Sequence, residues 1–438
     1  MRYLYNVLAY LAIPFILLRL LWRTWHMPAY GKRWIERFGF VKSAPHENGI
    51  WFHAVSLGET IAAVSLIQAL LNAKPHLAIT VTVMTPTGSE RVQALLGDKV
   101  HHVYVPYDFP GAVKRFLRRI KPKVAVIMET ELWPNLLHYA NTQGVALMLA
   151  NGRLSQQSAK GYGYVPSLVQ PMLQCFSYIA VQSDADSERF LALGAQKKQI
   201  AITGNLKYDL RIASDMYEQA KQLRQMLGKQ RPVWIAASTH SGEEEKILAA
   251  FKKVQEQCPQ TLLVLVPRHP ERFDTVATLC KKQGFTIARR SQQEHCLAST
   301  SIYLGDTIGE LLLMYGACDV AFVGGSLVPV GGHNLLEPAA FAKPTLTGPY
   351  HHNFVAVNKL LQRVGAVKQV DTVDALAETV IFWLTNKDVA YKIGIKGQQA
   401  VAENGGALDK HMALIQKLRN SSAPSKKPSS LGDLDSYS

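Results

Sequence analysis

Residues 50–71 read IWFHAVSLGETIAAVSLIQALL, a short apolar run that passes through a glycine into a stretch whose apolar residues have helical spacing. From this point the chain keeps alternating β-branched runs with amphipathic helical patterns. Such an alternation is typical of βαβ units. The sequence therefore predicts an α/β fold built on parallel sheets.

The strand–helix pattern comes in two series. The first series runs to about residue 209, and a polar, helix-favouring stretch at 215–232 separates it from the second. Because 438 residues are too many for one ordinary core, we expect two doubly wound, Rossmann-like domains, at 26–210 and 211–420. The Ser- and Pro-rich residues 421–438 are expected to be disordered.

An apolar segment begins the chain, with no charge between Arg2 and Arg19. As a helix it is marginal for a hydrocarbon layer of roughly 30 Å, and Pro14 weakens a straight span. Cations on its C-terminal side place the rest of the chain in the cytoplasm. We expect residues 1–25 to anchor the protein by spanning the plasma membrane or lying in its interface. A buried core helix is the alternative.

The charge balance points to an anionic partner, because the formal net charge is +15 and the pI is about 9.5. Nucleic acid and anionic lipid are the main candidates. Nucleic-acid surfaces interleave stacking aromatics with cations, yet the basic stretch 111–123 contains only Phe116. We therefore expect an anionic membrane surface as partner and no nucleic acid, with a merely solvated helix face as the alternative reading of 111–123.

Missing motifs argue against several classes of functional site. The five cysteines are scattered without a C-x-x-C, so neither a disulfide framework nor a zinc ribbon is indicated. Fingerprints of dinucleotide binding, P-loop ATP hydrolysis, zinc proteolysis and α/β-hydrolase chemistry are also missing. The adjacent His351 and His352 have no acidic cluster beside them. We predict neither a metal site nor a cofactor.

Polar residues that follow strands are the candidates for chemistry, because ligands bind beyond the carboxyl ends of parallel strands. Glu59 begins a helix behind Gly58 and is a candidate general base; a capping carboxylate favoured by the helix dipole is the alternative. Glu129 and Glu131 follow a later strand as a pair. Lys207 supplies a cation suited to an anionic substrate, although a solvated lysine is the commoner case.

In the second half, residues 324–340 read GGSLVPVGGHNLLEPAA. Paired glycines before a helix start predict free amide donors and a positive dipole end that receive a phosphate. Glu337 would lie one helical turn beyond that phosphate, at a distance suited to binding a ribose diol. Arg268 follows another strand, and Glu310 is expected in the first turn of a helix.

Seven motifs occur in order along the chain: HAVSLGE, ETELWPN, NGRLS, GNLKYD, PRHPERF, GGSLVPVGGHNLLEPAA and GPYHHNF. Together they resemble the 3-deoxy-D-manno-octulosonic acid (Kdo) transferases of lipopolysaccharide assembly. The resemblance implies an inverting glycosyltransferase of GT-B fold, whose two Rossmann-like domains face a central cleft. It also implies transfer of Kdo from CMP-Kdo to the lipid A precursor lipid IVA, at the cytoplasmic face of the inner membrane.

The resemblance also implies roles for single residues. Glu59 matches the family's proton acceptor, and Glu129 and Lys207 match positions that support the transition state. The positions that match contacts to CMP-Kdo are Pro267, Arg268, Ile308, Gly309, Glu310, Asn334, Leu335, Leu336 and Glu337. Gly152 stands where alanine is expected and Leu335 where proline is common, but neither change removes a functional group.

Two alternatives remain open from the sequence. One is another GT-B sugar-nucleotide enzyme, such as a UDP-sugar transferase or an epimerase, because a fold does not define chemistry; an epimerase would not need the N-terminal anchor. The other is a basic membrane- or nucleic-acid-binding protein without enzymatic activity.

Overall fold

The computed structural model describes residues 1–210 and 212–421, and the chain divides into two compact units. Unit 1 comprises Met1–Lys207 and Gly406–Ser438, and unit 2 comprises Tyr208–Gly405. Within the described residues each unit contains a seven-stranded parallel sheet between helices, which confirms the predicted doubly wound α/β fold. Of the predicted disordered tail, residues 422–438 lie outside the described residues.

The sheet of unit 1 is parallel throughout its described strands. These strands are β1 (Ile50–His53), β2 (Ile79–Val83), β3 (His101–Tyr104), β4 (Val124–Met128), β5 (Ala146–Gly152), β6 (Phe176–Val181) and β7 (Ile200–Ile202). Their spatial order is β3-β2-β1-β4-β5-β6-β7. Ile50 of the interior strand β1 pairs with Ile79 on one side and with Val124 on the other.

The sheet of unit 2 is also parallel, but its strand order differs. Its described strands are β8 (Val233–Thr239), β9 (Leu262–Pro267), β10 (Ile287–Arg289), β11 (Ile302–Leu304), β12 (Val320–Val323), β13 (Thr345–Thr347) and β14 (Val367–Gln369). Their order is β10-β11-β9-β8-β12-β13-β14, again with parallel pairs. Here β8, the first strand of its series, lies between β9 and β12, as β1 lies between β2 and β4 in unit 1.

Helices cover both faces of each sheet. In chain order the described helices are α1 (Arg2–Leu11), α2 (Ile13–His26), α3 (Leu57–Ala73), α4 (Pro86–Leu96), α5 (Pro110–Ile120), α6 (Pro134–Thr142), α7 (Gln156–Gly163), α8 (Pro166–Gln174), α9 (Asp184–Ala192), α10 (Ser214–Gly228), α11 (Glu244–Gln257), α12 (Phe273–Lys282), α13 (Leu311–Ala317), α14 (Leu336–Ala340), α15 (Val355–Arg363), α16 (Val373–Thr385), α17 (Lys387–Glu403) and α18 (Ala407–Asn420).

Each sheet has an apolar layer on both faces, as a parallel sheet between helices requires. Along β1, Phe52 packs into one layer and its neighbour Trp51 into the other, since successive side chains point to opposite faces. In β8, Ile235 and Trp234 divide in the same way. This two-sided burial explains why the strands appear in the sequence as nearly continuous apolar runs.

The C-terminal helix α18 belongs to unit 1, although the sequence analysis placed residues 211–420 in the second domain. Ile415 and Leu418 are buried in the same apolar layer as Phe52. The first crossing between the units falls between Lys207 and Tyr208, rather than at residue 210. An amphipathic helix shows which of its faces is apolar but not which core that face covers, so the sequence could not assign α18.

The apolar N-terminus forms the helix pair α1 and α2, which are bent by 50° at their junction. By length and composition, no single helix in the described part of the chain can cross a membrane, whereas this bent pair passes the same test. Helix α1 is attached to unit 1 by side chains. The Tyr5 hydroxyl donates to the Asp108 carboxylate at 3.0 Å, and the side-chain amide of Asn135 donates to Oδ1 of Asn6 at 2.7 Å.

Replacing the buried Ile415 tests the assignment of α18 to unit 1. We expect Ile415→Ala to destabilise unit 1 by about 2–5 kcal/mol, because it leaves a cavity in that core. Hydrogen exchange should then speed up in β4 and remain unchanged in β12. The matched control is Gln416→Ala, an exposed position on the same helix. Faster exchange confined to unit 2 would contradict the assignment.

Candidate active site

Both sheets have a topological switch point at their carboxyl edge. In unit 1 the chain leaves β1 towards β2 and β3, and later returns to place β4 on the other side of β1. In unit 2, β8 and β12 are neighbours for the same reason. Loops diverge at such a point and leave a crevice where ligands bind in open α/β sheets. The residues after β1, β4, β8 and β12 therefore decide what each unit can bind.

Glu59 follows β1 and lies in the first turn of α3, where only 6% of it is exposed. Its carboxylate accepts hydrogen bonds from the Val55 amide at 2.8 Å, from the Ser56 amide at 3.3 Å and from the Ser56 hydroxyl at 2.6 Å. The capping alternative is thus realised as a capping box. A carboxylate has about four acceptor directions, so capping does not use all of them, and the role as a base stays a prediction.

Glu129, directly after β4, is brought to the same switch point. Its φ of +51° is unusual for a residue with a side chain, and its amide donates to the Ala150 carbonyl at 2.8 Å. The ammonium of Lys207 lies 4.0 Å from its carboxylate. Burial raises the pKa of Glu129, Lys207 opposes that shift, and the negative charge of Glu59 adds to it. The three predicted catalytic residues therefore lie close enough to interact.

Glu131 is a third carboxylate at this edge, which the sequence analysis noted as half of a pair but gave no role. Burial, together with the charges of Glu59 and Glu129, raises its pKa to about 7. A hydrogen bond from the Trp133 indole, at 2.8 Å, acts in the opposite direction and lowers the pKa. A group with this pKa can accept or release a proton near neutral pH. The signal in the sequence was the spacing of the two glutamates around Thr130.

Asn151 connects the loop that carries Lys207 to the sheet, a role that sequence reasoning missed. It is fully buried with φ of +55°, and its side-chain oxygen accepts from the Leu206 amide at 3.0 Å. The backbone amide of Asn151 donates to Nε2 of His411, in α18, at 2.9 Å. Asn tolerates the left-handed region better than most residues, so an Asn at the end of β5 was the available signal.

In unit 2 the glycine-rich stretch differs from its predicted role as an open phosphate cradle. The amides of Gly325, Ser326 and Leu327 donate to the carboxylate of Glu243, at 2.7, 3.0 and 2.9 Å. Glu243 is fully buried, and its carboxylate also accepts from the His240 amide at 3.2 Å. The expected anion-binding amides are therefore occupied by an anion from the chain itself.

The second glycine pair and the helix after it also bind internally. The amides of Gly331 and Gly332 both donate to the Gly325 carbonyl, at 3.1 and 2.8 Å, and both residues have positive φ. Helix α14 has only five residues, and its first amide, that of Leu336, donates to the Asn334 side chain at 3.1 Å. So short a helix has little macrodipole. The glycines here serve a tight loop.

The residues that the resemblance assigns to the sugar nucleotide lie along one edge of the unit 2 sheet. Pro267 ends β9 and Arg268 follows it, 308–310 follow β11, and 334–337 follow β12. Arg268 is exposed. Burial raises the pKa of Glu337, while a hydrogen bond from Asn334 at 3.2 Å and the charge of Arg268 oppose the shift.

The remaining assigned residues differ in what they can offer a ligand. Glu310 is the N-cap of α13 rather than part of its first turn. The guanidinium of Arg290 donates two hydrogen bonds to the Glu310 carboxylate, at 2.9 and 2.6 Å, and they hold the pKa of Glu310 below its usual range. Ile308 is 80% exposed. Leu335 and Leu336 are each only 1% exposed, so a ligand can contact only their backbone.

Two histidines missed by sequence reasoning meet at the switch point of unit 2. His240 follows β8 and His333 lies in the loop after β12, with their Nε2 atoms 2.8 Å apart. His269, next to Arg268, packs edge-on against His240 with ring centroids 5.2 Å apart. A histidine after a strand was the only signal for His240. Within residues 1–210 and 212–421, no cluster of His, Cys, Asp or Glu suits a metal ion.

Known proteins resemble this chain over nearly its whole length. Residues 32–210 match the family model described as 3-deoxy-D-manno-octulosonic-acid transferase (kdotransferase). The chain is 44% identical to the 3-deoxy-D-manno-octulosonic acid transferase of Haemophilus influenzae, covering 95% of this chain and 98% of the relative. It is 37% identical to a probable mitochondrial 3-deoxy-D-manno-octulosonic acid transferase of Arabidopsis thaliana, covering 88% of both.

The chain is also similar to solved structures. The UDP-GlcNAc 2-epimerase of Neisseria meningitidis has a TM-score of 0.54 at 12% identity, over 84% of this chain and all of that one; this likeness concerns the fold alone. The C-terminal CMP-Kdo binding domain of WaaA from Acinetobacter baumannii is 34% identical with a TM-score of 0.42, over 43% of this chain and 99% of that domain.

A non-enzymatic binding protein is not compatible with an identity of 44% that extends over nearly all of both sequences. The same carboxylates and lysine that the motifs singled out lie together at one switch point. This chain belongs to the 3-deoxy-D-manno-octulosonic acid transferase family of glycosyltransferases.

Proposed function

We propose that the protein transfers Kdo from CMP-Kdo to lipid IVA with inversion, as a step of lipopolysaccharide core assembly, and that Glu59 is the general base. The observation that carries this proposal is the group of Glu59, Glu129 and Lys207 at the switch point of unit 1, in a chain of the Kdo transferase family. The donor residues are those after β9, β11 and β12 in unit 2.

Each of the three groups of unit 1 takes part in this reaction. A hydroxyl of the acceptor attacks the anomeric carbon of Kdo while the bond to the cytidylate oxygen breaks, and the hydroxyl proton passes to Glu59. A single displacement inverts the centre and releases CMP. The carboxylate of Glu129 stabilises positive charge that develops on the sugar, and Lys207 both holds Glu129 and attracts an anionic substrate group.

The donor side follows from exposure and charge in unit 2. The exposed guanidinium of Arg268 has the forked geometry that suits a phosphate. The mostly buried carboxylate of Glu337 can accept hydrogen bonds from a ribose diol, since Asn334 occupies only one of its oxygens. Ile308, with 80% of its surface exposed, offers an apolar contact for the base.

A transfer assay tests the proposed reaction and the base together. With CMP-Kdo and lipid IVA, mass spectrometry of the lipid should show one or more Kdo increments for the wild-type protein. We expect Glu59→Gln to lower the rate by at least about 10²-fold, because general base catalysis typically contributes 10²–10⁴-fold, while CMP binding is retained. The Gln keeps an acceptor for the capping amides.

Glu131→Gln is the matched control for this assay, since it removes a neighbouring, half-buried carboxylate by the same substitution. Near-normal turnover by Glu59→Gln together with loss of activity in Glu131→Gln would move the base to Glu131. A wild-type protein that leaves lipid IVA unchanged would contradict the proposed acceptor.

A titration with CMP tests the donor residues of unit 2. We expect Arg268→Ala and Glu337→Ala each to weaken CMP binding by about 10- to 100-fold, because a charge-assisted hydrogen bond contributes roughly 1.5–3 kcal/mol. Isothermal titration calorimetry measures the change. Lys282→Ala is the control, because it removes an exposed cation at the far end of α12. Unchanged affinity in both variants would place the nucleotide elsewhere.

We further propose that α1 and α2 lie in the interface of the inner membrane, with the catalytic units in the cytoplasm. Spanning is disfavoured because the hydrogen bonds of the Tyr5 and Asn6 side chains with Asp108 and Asn135 hold one side of α1 against unit 1. Large apolar side chains remain exposed on both helices, which suits an in-plane amphipathic anchor. They are Tyr3, Leu4, Val7, Leu8, Tyr10, Leu11, Phe15, Leu18, Leu21, Trp22 and Trp25.

Binding to vesicles of anionic phospholipid tests this anchor. The double substitution Phe15→Asp with Trp25→Asp should weaken binding by at least about tenfold, because it places two charges on the embedded face. The control, Tyr164→Asp with Tyr391→Asp, adds the same charges at exposed aromatics outside the two helices. Added salt should also weaken wild-type binding, since each cation near the surface contributes about 1 kcal/mol. Equal binding by both double variants would contradict the anchor.

A further inference from the structure

His240 and His333 form a hydrogen-bonded pair between the segments assigned to the donor. Their Nε2 atoms are 2.8 Å apart, and the ring planes lie within 6° of parallel. Gly325 makes room for the pair, because a Cβ there would come within 3.0 Å of the His333 ring. Next to His333 is Asn334, and Arg268 lies near enough for its charge to act on both rings.

The bond between two Nε2 atoms restricts how many protons the pair can carry. When both rings are neutral, one Nε2–H donates to the lone pair of the other ring. A single further proton can enter at the free Nδ1 of the donor ring, and the Nε2 bond then becomes charge-assisted. A second further proton would set two N–H groups against each other and break the bond. The pair therefore accepts one proton.

Burial and the neighbouring cations favour the neutral form of the pair when no anion is present. Burial lowers the pKa of His333 to about 4, and the charge of Arg268 adds to this shift. Burial, His269, Arg268 and Arg272 lower the pKa of His240. The carboxylate of Glu243 accepts from the His240 amide, but the three loop amides already share its charge.

An anion beside Arg268 would reverse this balance, since a nearby negative charge favours the protonated imidazole. The protonated pair would then present a second positive group at the same edge of the sheet. Because the amide cradle after β12 is filled by Glu243, an incoming phosphate needs side chains instead, and the two histidines and Arg268 can supply positive charge at this switch point.

We propose that His240 and His333 are a proton-accepting binding pair for the phosphate of the donor nucleotide. The pair takes one proton from solution as the phosphodiester binds and releases it when the nucleotide leaves, so no bond of the donor is broken by the uptake. The proposal rests on the proposed function, because it takes the CMP group as the ligand of unit 2.

Calorimetry with the full chain tests this proposal. The probe is the methyl ester of CMP, a phosphodiester that does not itself titrate near neutral pH. Binding heats measured at pH 7 in buffers of different ionisation enthalpy give the number of protons taken up. We expect uptake approaching one proton by the wild type, with affinity falling by at most about tenfold for each rise of one pH unit.

Variants separate the pair from other histidines. His240→Asn and His333→Asn should abolish the uptake and weaken binding by roughly tenfold, as expected when one charge-assisted bond is lost. The control His295→Asn, exposed in the same unit, should keep both. Wild-type binding without proton uptake would overturn the role of the histidine pair but leave the donor assignment intact. No binding of the probe to the wild type would overturn the donor assignment, and with it the pair; neither wild-type measurement depends on a variant that folds.

Discussion

The parallel packing of the strands is the constraint on which both units depend. All described strands of a sheet run the same way. The loops after β1 and β4 therefore lie at one edge of the first sheet, and the loops after β8 and β12 lie at one edge of the second sheet. Helices on both faces prevent the rest of the strands from reaching solvent. Chemistry is therefore confined to short segments that follow strands, and the polar side chains gathered there are drawn from distant parts of the chain.

Buried carboxylates organise these edges from within. Glu243 occupies the amides of the loop after β12, and Glu59 occupies those before α3. The same backbone donors that bind phosphate in other folds are thus satisfied by side chains of this protein. This leaves charged side chains such as Arg268 to bind a phosphate, which is why the proposed donor site rests on guanidinium and imidazole groups.

Membership of the Kdo transferase family and the geometry of the sheet edges answer different questions. The family identifies the enzyme class, and the resemblance in fold to a UDP-GlcNAc 2-epimerase adds nothing about the substrate, since many activities share this fold. The geometry gives the carboxylates different surroundings. Glu59 accepts several hydrogen bonds, whereas burial and neighbouring charge hold Glu131 near neutral pKa. Because their surroundings differ, comparing the activities of variants at Glu59 and Glu131 can distinguish which carboxylate acts as the base.

The α/β class, the two strand–helix series and the family could all be predicted from the sequence, because alternating apolar runs and ordered motifs are local patterns along the chain. Three contacts are evident only in the folded chain: α18 packs on unit 1, Glu243 accepts from the amides of the glycine loop, and His240 meets His333. The last two contacts join residues 82 to 93 positions apart. No local pattern encodes which distant groups meet, because strand order and burial, rather than spacing, bring them together.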